Sequence, residues 1–570
     1  MGTSTKIVII GGVAGGASAA AKARRTNEQA EIVLFERGPH VSFANCGLPY
    51  YVGGEITDRD SLLLQDATRF WNRFRVRVCT RHEVTAIDVA TKRVEVKVLD
   101  TGEIFWETYD KLILAPGAGA VVPPWPGLPA PNAFTVKTVP DSDAIRQWID
   151  GQKPQRAVVI GAGFIGLETA EALHRRGLHV TVVEAQQQIL PIFDREMAEL
   201  VERHVQHQGV DLVLGDPIAG FAPVSSLEKA QPGVIGQVLF RSGRVLETDM
   251  VILSVGVRPE LFLAKQAGLA IGSENGIVVD EFQRTSNPDI YAAGDAVEVT
   301  ELVTGRKQRI PLAGPANKQG RVAGDHAAGG TLQFAGALGT AIVEVLGITA
   351  AKTGLSAREA AAAGLKFQVT QTHPMDHASY YPGAEQMHIE LVVEEGTARL
   401  LGGQIVGTKG VDKRIDVLAT ALYGRMTVHD LENLDLAYAP QFSSAKDPVI
   451  LAGFVAANVA RHEMVTISCA QLRTKMQDVQ PIQLIDVRTV GEFQGGHLPG
   501  AIPIPIDELR NRLGEIDPKL ATVVYCKVGL RGYLAARILA QSGFGDVRNL
   551  TGGLMTCPDG AAEKSAMTSA

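Results

Sequence analysis

The chain has 570 residues, 45% hydrophobic and 21% charged, with 55 Lys and Arg against 62 Asp and Glu for a net charge of −7. That length exceeds what a single core supports, so several domains are expected, and 60 glycines point to an α/β protein rich in tight turns. The acidic balance argues against nucleic acid as a partner, which needs clustered cations, and no apolar run approaches the roughly 20 residues that cross a bilayer, so no membrane association is expected.

In chain order, KIVIIGGVAGGASAAAKARR reads as strand, glycine turn and helix: β-branched residues 7 to 10, then strong helix formers after the turn. The run is too short for a secretory signal, and MGTSTK lacks the Ser or Thr that myristoylation wants, so a cytoplasmic location is expected. The turn is G-x-G-x-x-G with Val13 at its middle position. Gly11 and Gly16 keep the tight turn and close packing, and Gly12 and Gly15 add backbone freedom, so free N–H groups at the helix start face a pyrophosphate. EIVLFER follows as a second strand, ending in Glu36, where an acid meets ribose hydroxyls. The pattern returns with Gly161, Gly163 and Gly166 intact and Glu184 ending the next strand. Glu184 accepts bonds from a free 2′-hydroxyl and repels a 2′-phosphate, which favours NADH over NADPH.

Between the two units lies SFANCGLPYYVGG, residues 42–54, with the single thiol of Cys46 and no second cysteine nearby. Together with TSNPDIYAAGDAVEV, LILAPGA and VILSVGVRPE, these stretches resemble the two-dinucleotide-domain flavoprotein disulfide reductases. The resemblance implies FAD contacts at Ala14, Arg37, Ala115, Asp295 and Ala313, and a cofactor-binding position at Gly256. Tyr51 stands where two-cysteine members carry their second thiol, and Ala14 stands where peroxidases and oxidases carry a histidine. The chain therefore resembles the coenzyme A disulfide reductase branch over roughly residues 5 to 455. That implies Cys46 as redox nucleophile, coenzyme A contacts at Lys22, Arg25, Ser42, Asn45 and Lys446, and Tyr380 or Tyr381, and more firmly Tyr438, reaching the thiol of the facing subunit in a homodimer. Phe74 replaces a basic position of the family, between Arg73 and Arg75. Lys22 has a solvated helix face as its alternative reading. HPMDH, residues 373–377, reads as loop, because Pro374 disfavours the helix that an i, i+4 histidine pair would need.

Past residue 455, PIQLIDVRTVGEFQGGHLPGAIPIPIDEL resembles the rhodanese domain. In CKVGLR, Cys526 ends a strand. Successive N–H groups, with Lys527 and Arg531 nearby, favour its thiolate, and the C-x4-R loop suits one sulfur atom where C-x5-R suits phosphate. The five cysteines, odd in number and widely spread, form neither a disulfide framework nor a metal pattern, so no metal is expected. Cys79 and Cys469 read as packing residues, and Cys557 as a resolving thiol or as incidental.

The expected architecture is thus α/β. Two Rossmann-like domains bind FAD (1–150 and 266–328) and NADH (151–265), an α+β dimerisation domain follows (329–455), and a linker and α/β rhodanese domain close the chain (456–570). The implied activity is NADH-dependent reduction of coenzyme A persulfide, polysulfides and related persulfides to hydrogen sulfide, with FAD and coenzyme A as cofactors. The alternatives are plain reduction of coenzyme A disulfide, and a sulfur-trafficking or sensor protein with a redox-reporting flavin.

Overall fold

The structure, a computed structural model, describes residues 5–223, 233–477 and 482–557. These fall into two compact units, one from residues up to 191 with 202–339, the other from 192–201 with the chain from 340 onward.

In the first unit, KIVII forms the central strand, Lys6–Ile10, of a five-stranded sheet. Its order is Ile290–Ala292, Lys111–Leu114, Lys6–Ile10, Glu31–Glu36 and Val76–Thr80, all parallel. Val8, Ile10, Val33 and Phe35 enter one core while Ile7, Ile9, Ile32 and Leu34 enter another. This is the period-two alternation of a sheet covered on both faces. The crossover helix Ala14–Thr26 packs on helix Ala313–Ala327. A Cβ at Gly320 would lie 2.1 Å from the Gly15 carbonyl oxygen, so the two helices meet backbone to backbone.

A second parallel sheet orders Asp211–Leu214, His179–Glu184, Arg156–Ile160, Met250–Leu253 and Ala133–Phe134. Its edge strand comes from before residue 150, the expected domain boundary. Two residues are too few to carry a periodic signal, which is why the pairing was invisible in sequence.

The second unit contains an antiparallel sheet, Ala341–Val345, Ile348–Gly354, Leu400–Gly407, Met387–Glu394 and Phe367–Thr372 in spatial order. Helices Val411–Tyr423 and Pro448–Ala460 pack against it. It also contains a parallel sheet ordered Thr466–Ile467, Val547–Leu550, Ala521–Tyr525, Ile482–Asp486 and Ile502–Pro503. Along its central strand, Val524 and then Cys526 enter one core, while Val523 and Tyr525 enter the other.

One expectation is overturned here. Cys469 is not an inert packing residue: it forms a disulfide with Cys557, 88 residues away, with Cα atoms 5.4 Å apart. The parallel pairing of Thr466–Ile467 with Val547–Leu550 brings the two ends of this domain together, which spacing along the chain conceals. Cys557 lies in the core of Tyr525, across the sheet from Cys526, and is not placed as its resolving thiol.

Arg414, buried at 2% exposure, ties the loops of this unit. Its Nη2 donates to the Asp376 carbonyl at 2.7 Å, to Ser443 Oγ at 3.2 Å and to Asp447 Oδ2 at 3.1 Å. Burial opposes ionisation of Asp447, yet the Val449 N–H and Arg414 hold its carboxyl below the usual range. Without the guanidinium, Asp447 keeps Lys413 at 3.5 Å, the Ser443 hydroxyl and the Val449 N–H, so the loss falls below the cost of about 3–5 kcal/mol for a fully stranded charge. Arg414→Ala is therefore expected to lower the unfolding free energy of the second unit, read from the denaturation midpoint and slope, by about 1–3 kcal/mol, whereas a loss under about 1 kcal/mol would show that Lys413 and water replace the guanidinium.

Candidate functional site

The two glycine turns are built alike. Gly11 (φ +93°) and Gly161 (φ +101°) sit in the left-handed region, where a Cβ would lie 2.1 Å from the Ala115 oxygen and 2.3 Å from the Ser254 oxygen respectively. Each turn is pinned by the carboxylate that ends the next strand. Glu36 accepts from Gly12 N and Gly38 N, both at 2.7 Å, and Glu184 accepts from Ala162 N at 3.0 Å and Gln186 N at 2.9 Å. A cleft of about 250 Å3 runs beside the first turn, lined by Gly11, Phe35, Glu36, Arg37, His82 and Glu260 among others. A backbone cradle with no room for a Cβ, a fixed acid and an adjoining cleft fit the adenosine and pyrophosphate of FAD at the first turn. The second turn offers NADH the same cradle and acid.

Of the other residues expected at the cofactors, Gly15 and Gly16 lie buried at the start of helix Ala14–Thr26. Ala313 begins helix Ala313–Ala327, and Gly256 turns at φ +106°. Arg37 reaches Glu260 at 3.5 Å, and Asp295 follows Gly294, whose N–H donates to Gln319.

Cys46 lies in the one-turn segment Asn45–Gly47, with its thiol free and the residue exposed. Ser42, four residues earlier, adopts φ +50°, a conformation uncommon for a side chain, and its N–H donates to the Gly12 carbonyl at 2.8 Å. That bond places Ser42, Asn45 and Cys46 beside the first glycine turn. Burial and the carboxylates of Glu168 and Asp295 push the Cys46 thiol up, opposed by Lys137. Glu168 was not singled out in sequence. It falls two residues after Gly166 and accepts from Tyr50 at 3.1 Å, with burial raising its own carboxyl. Arg25 is exposed. Lys22, however, is neither a solvated lysine nor an open cation, because its ammonium pairs with Asp325 at 2.8 Å.

In the second unit, HPMDH is a loop, with His377 bonded to Asp376 at 2.8 Å and His373 to His388 at 2.7 Å. Among the described residues no group of three or more potential ligands could hold a metal. The loop carries Tyr380, whose hydroxyl meets that of Tyr438 at 2.8 Å across 58 residues of sequence. That bond raises the pKa of Tyr380. Tyr381 instead packs its ring against His377, and Lys446 is exposed.

The Cys526 sulfur accepts the Gly529 N–H at 3.1 Å, where Gly529 (φ +100°) turns the loop into helix Leu530–Gln541. Arg531 bonds both oxygens of Glu492 at 2.7 Å, so its charge is shared with a carboxylate that sequence reasoning missed.

Comparison with known proteins agrees with this construction. Residues 5–320 match the model of the pyridine nucleotide-disulphide oxidoreductase family, residues 340–448 its dimerisation domain, and residues 468–556 the rhodanese-like domain. A coenzyme A disulfide reductase of Staphylococcus aureus is 34% identical over 453 residues, 79% of this chain and 99% of that protein. The crystal structure of reduced Bacillus anthracis CoADR-RHD superposes with a TM-score of 0.93 at 43% identity, covering 98% of this chain and 99% of the other. A NAD-dependent persulfide reductase from A. fulgidus gives 0.88 at 40% identity, covering 97% and 100%. The chain belongs to the pyridine nucleotide-disulphide oxidoreductase family, whose cofactors are FAD and NAD(H), and it carries a rhodanese domain. No described helix is long and apolar enough to cross a membrane.

Two outcomes follow from the carboxylates. With Glu184 fixed by two N–H groups and no arginine among Gln186–Gln188, kcat/KM for NADH should exceed that for NADPH at least about tenfold, or ~1.4 kcal/mol. Adding Gln186→Arg to a neutral residue at 184 should narrow the gap, and a native preference for NADPH would refute the assignment. Arg531 holds the Glu492 carboxyl down at about 2, against an ordinary 4.5. A depressed acid contributes stability that is whole above pH 4.5 and is lost as pH falls through 2. Melting of the rhodanese domain should accordingly be less acid-sensitive between those limits in Glu492→Gln than in the native protein, as followed by circular dichroism.

Proposed function

We propose that this protein is a cytoplasmic, homodimeric flavoprotein that uses NADH to reduce coenzyme A persulfide, polysulfides and coenzyme A disulfide, releasing hydrogen sulfide from the sulfane substrates. Cys526 takes up sulfane sulfur. The observation that carries the reading is the presence of two separately housed free thiols. Cys46 is bonded into the first nucleotide turn through Ser42, and Cys526 has its sulfur on a backbone N–H at the head of a C-x4-R loop.

The overall reaction is coenzyme A persulfide plus NADH and a proton to coenzyme A, hydrogen sulfide and NAD+. Bound FAD supplies the two-electron relay from NADH to sulfur. Cys46 thiolate attacks the sulfane sulfur, the S–S bond of the persulfide breaks, and coenzyme A leaves as its thiolate, with the transferred sulfur on Cys46. Two electrons and one proton then free that sulfur as hydrogen sulfide and restore the thiolate. The Tyr380–Tyr438 pair of the partner, joined hydroxyl to hydroxyl, would deliver a proton to the leaving thiolate. Arg25, Ser42, Asn45 and Lys446 would hold coenzyme A, the cations meeting its phosphates. Lys22 contributes less, being committed to Asp325.

The test is NADH oxidation measured side by side with coenzyme A persulfide, coenzyme A disulfide, polysulfide, peroxide and oxygen. Sulfur acceptors should dominate, and peroxide as the best acceptor would sink the reading. Cys46→Ser should bind FAD and let NADH bleach it, yet consume no NADH with any sulfur acceptor. Cys526→Ser should lose thiosulfate- or polysulfide-dependent sulfur transfer but keep most activity on the free coenzyme A substrates. Equal loss on every substrate would mean that Cys526 takes part in each turnover.

A further inference from the structure

Residues Thr551–Cys557 form a strap inside the second unit, where the Thr551 N–H donates to the Ile467 carbonyl at 3.0 Å and Leu554 packs against the core of Tyr525. At its start, Thr551 Oγ1 accepts the Gln371 N–H at 2.9 Å, which fastens it to the antiparallel sheet. In the middle it lies directly on the Cys526 loop. Leu554 N–H donates to the Cys526 carbonyl at 2.9 Å and Met555 N–H to the Lys527 carbonyl at 3.2 Å. A Cβ at Gly553 would sit 2.4 Å from the first of those oxygens and 2.8 Å from the second. At its end Cys557 is bonded to Cys469, at the start of helix Cys469–Gln477.

A trans peptide points its carbonyl and the following N–H to opposite sides. By drawing the carbonyls of Cys526 and Lys527 towards itself, the strap turns the N–H groups of Lys527 and Val528 the other way. The Gly529 N–H that meets the Cys526 sulfur lies one peptide beyond the two that the strap holds, so the strap fixes the stretch of loop that leads to this donor, and the end of the strap is fixed by one covalent bond.

We infer that Cys469–Cys557 is a redox-controlled clasp on the persulfide loop: closed, it holds the strap and the peptide planes that cradle sulfur on Cys526, and opened by a thiol it lets sulfur transfer fall. The inference rests on the sulfur-transfer reading of Cys526 given above. Protein disulfides that persist among cellular thiols are usually transient or redox-sensing, which is the setting proposed here. Opening by a dithiol breaks the S–S bond, adds two electrons and two protons to give thiols on Cys469 and Cys557, and leaves the reductant as its own disulfide. Closing by coenzyme A disulfide runs in the opposite direction: the protein S–S bond forms, and the two electrons and two protons leave on the oxidant as two coenzyme A thiols. The oxidised sulfur compounds that the protein consumes would therefore also set its rhodanese half in working order.

The test uses the full-length holoenzyme. Wild-type protein is treated anaerobically with graded dithiothreitol, freed of it by gel filtration, and scored by alkylation and mass spectrometry for the state of Cys469 and Cys557. Thiosulfate-to-cyanide sulfur transfer and NADH-driven coenzyme A disulfide reduction are then measured on the same samples. Opening should lower sulfur transfer at least tenfold, leave NADH-driven turnover within twofold, and be reversed by coenzyme A disulfide. Cys557→Ser should match the opened protein and no longer respond to dithiothreitol. Hydrogen exchange at Leu554 and Met555 should rise at least tenfold on opening, independent of any activity. Unchanged transfer with the bond shown to be cleaved, or unchanged exchange at both amides, would overturn the clasp. A protein without sulfur transfer in either state would instead overturn the rhodanese reading, leaving the exchange of the two amides to decide the clasp.

Discussion

The close approach of backbone to backbone at the glycine turns is the constraint on which the first unit depends. At Gly11 and Gly161 a side chain has no room, and each strand therefore hands its chain into a helix directly beneath a neighbouring strand's carbonyl. The consequence is electrostatic. Orphan N–H groups at a helix start carry partial positive charge, and only an approach this close lets a diphosphate reach them. The acid at the end of the next strand does two jobs: it accepts from the turn's own N–H groups, and it stands where a ribose would be met. Because Ser42 bonds back to Gly12, the same turn that cradles a cofactor also sets the position of Cys46.

Much of this was legible in sequence because it is local. A strand, a glycine turn and a closing acid lie within about 25 residues of each other, and both alternation and turn chemistry act at that range. The same holds for Cys526, since strand, loop and helix are contiguous. What sequence hid was long-range. The Tyr380–Tyr438 bond, the Lys22–Asp325 pair and the Cys469–Cys557 disulfide each join segments that only sheet pairing or loop packing brings together. Lys22 is instructive. A cation on an exposed-looking helix reads as available, but the helix it sits on packs against Ala313–Ala327, which presents Asp325 to it. The two-residue strand Ala133–Phe134 failed for another reason, being too short for any periodicity.

The two thiols are housed by different physics. Around Cys46 desolvation of the sulfur comes first and the carboxylates of Glu168 and Asp295 add to it, so the protein's own groups push the thiol up. Such a site waits for a cofactor or substrate to bring compensating charge, and it suits a thiol that must cycle with an electron relay. Cys526 is met by a backbone N–H at 3.1 Å and by the Arg531 guanidinium, which Glu492 also engages. Backbone dipoles do not titrate, so this donor persists over the whole pH range in which the loop stays folded.

That difference explains why the supports of the Cys526 loop matter more than its charges. A nest of N–H groups stabilises an anion only while the peptide planes are held at one orientation, and each plane that rotates away removes a donor. Here two of the planes are held by hydrogen bonds from Leu554 and Met555. A net backbone hydrogen bond contributes only ~1 kcal/mol, so these two, with the Thr551 bonds to Gln371 and Ile467 and the Thr556 hydroxyl bonds within the strap, work against the conformational entropy the segment would regain. The disulfide at Cys557 supplies what these bonds lack, because it restricts the strap whether or not they are made. On the sulfur-transfer reading proposed for Cys526, its loop would depend on sulfur chemistry of its own, placed on the opposite face of the sheet.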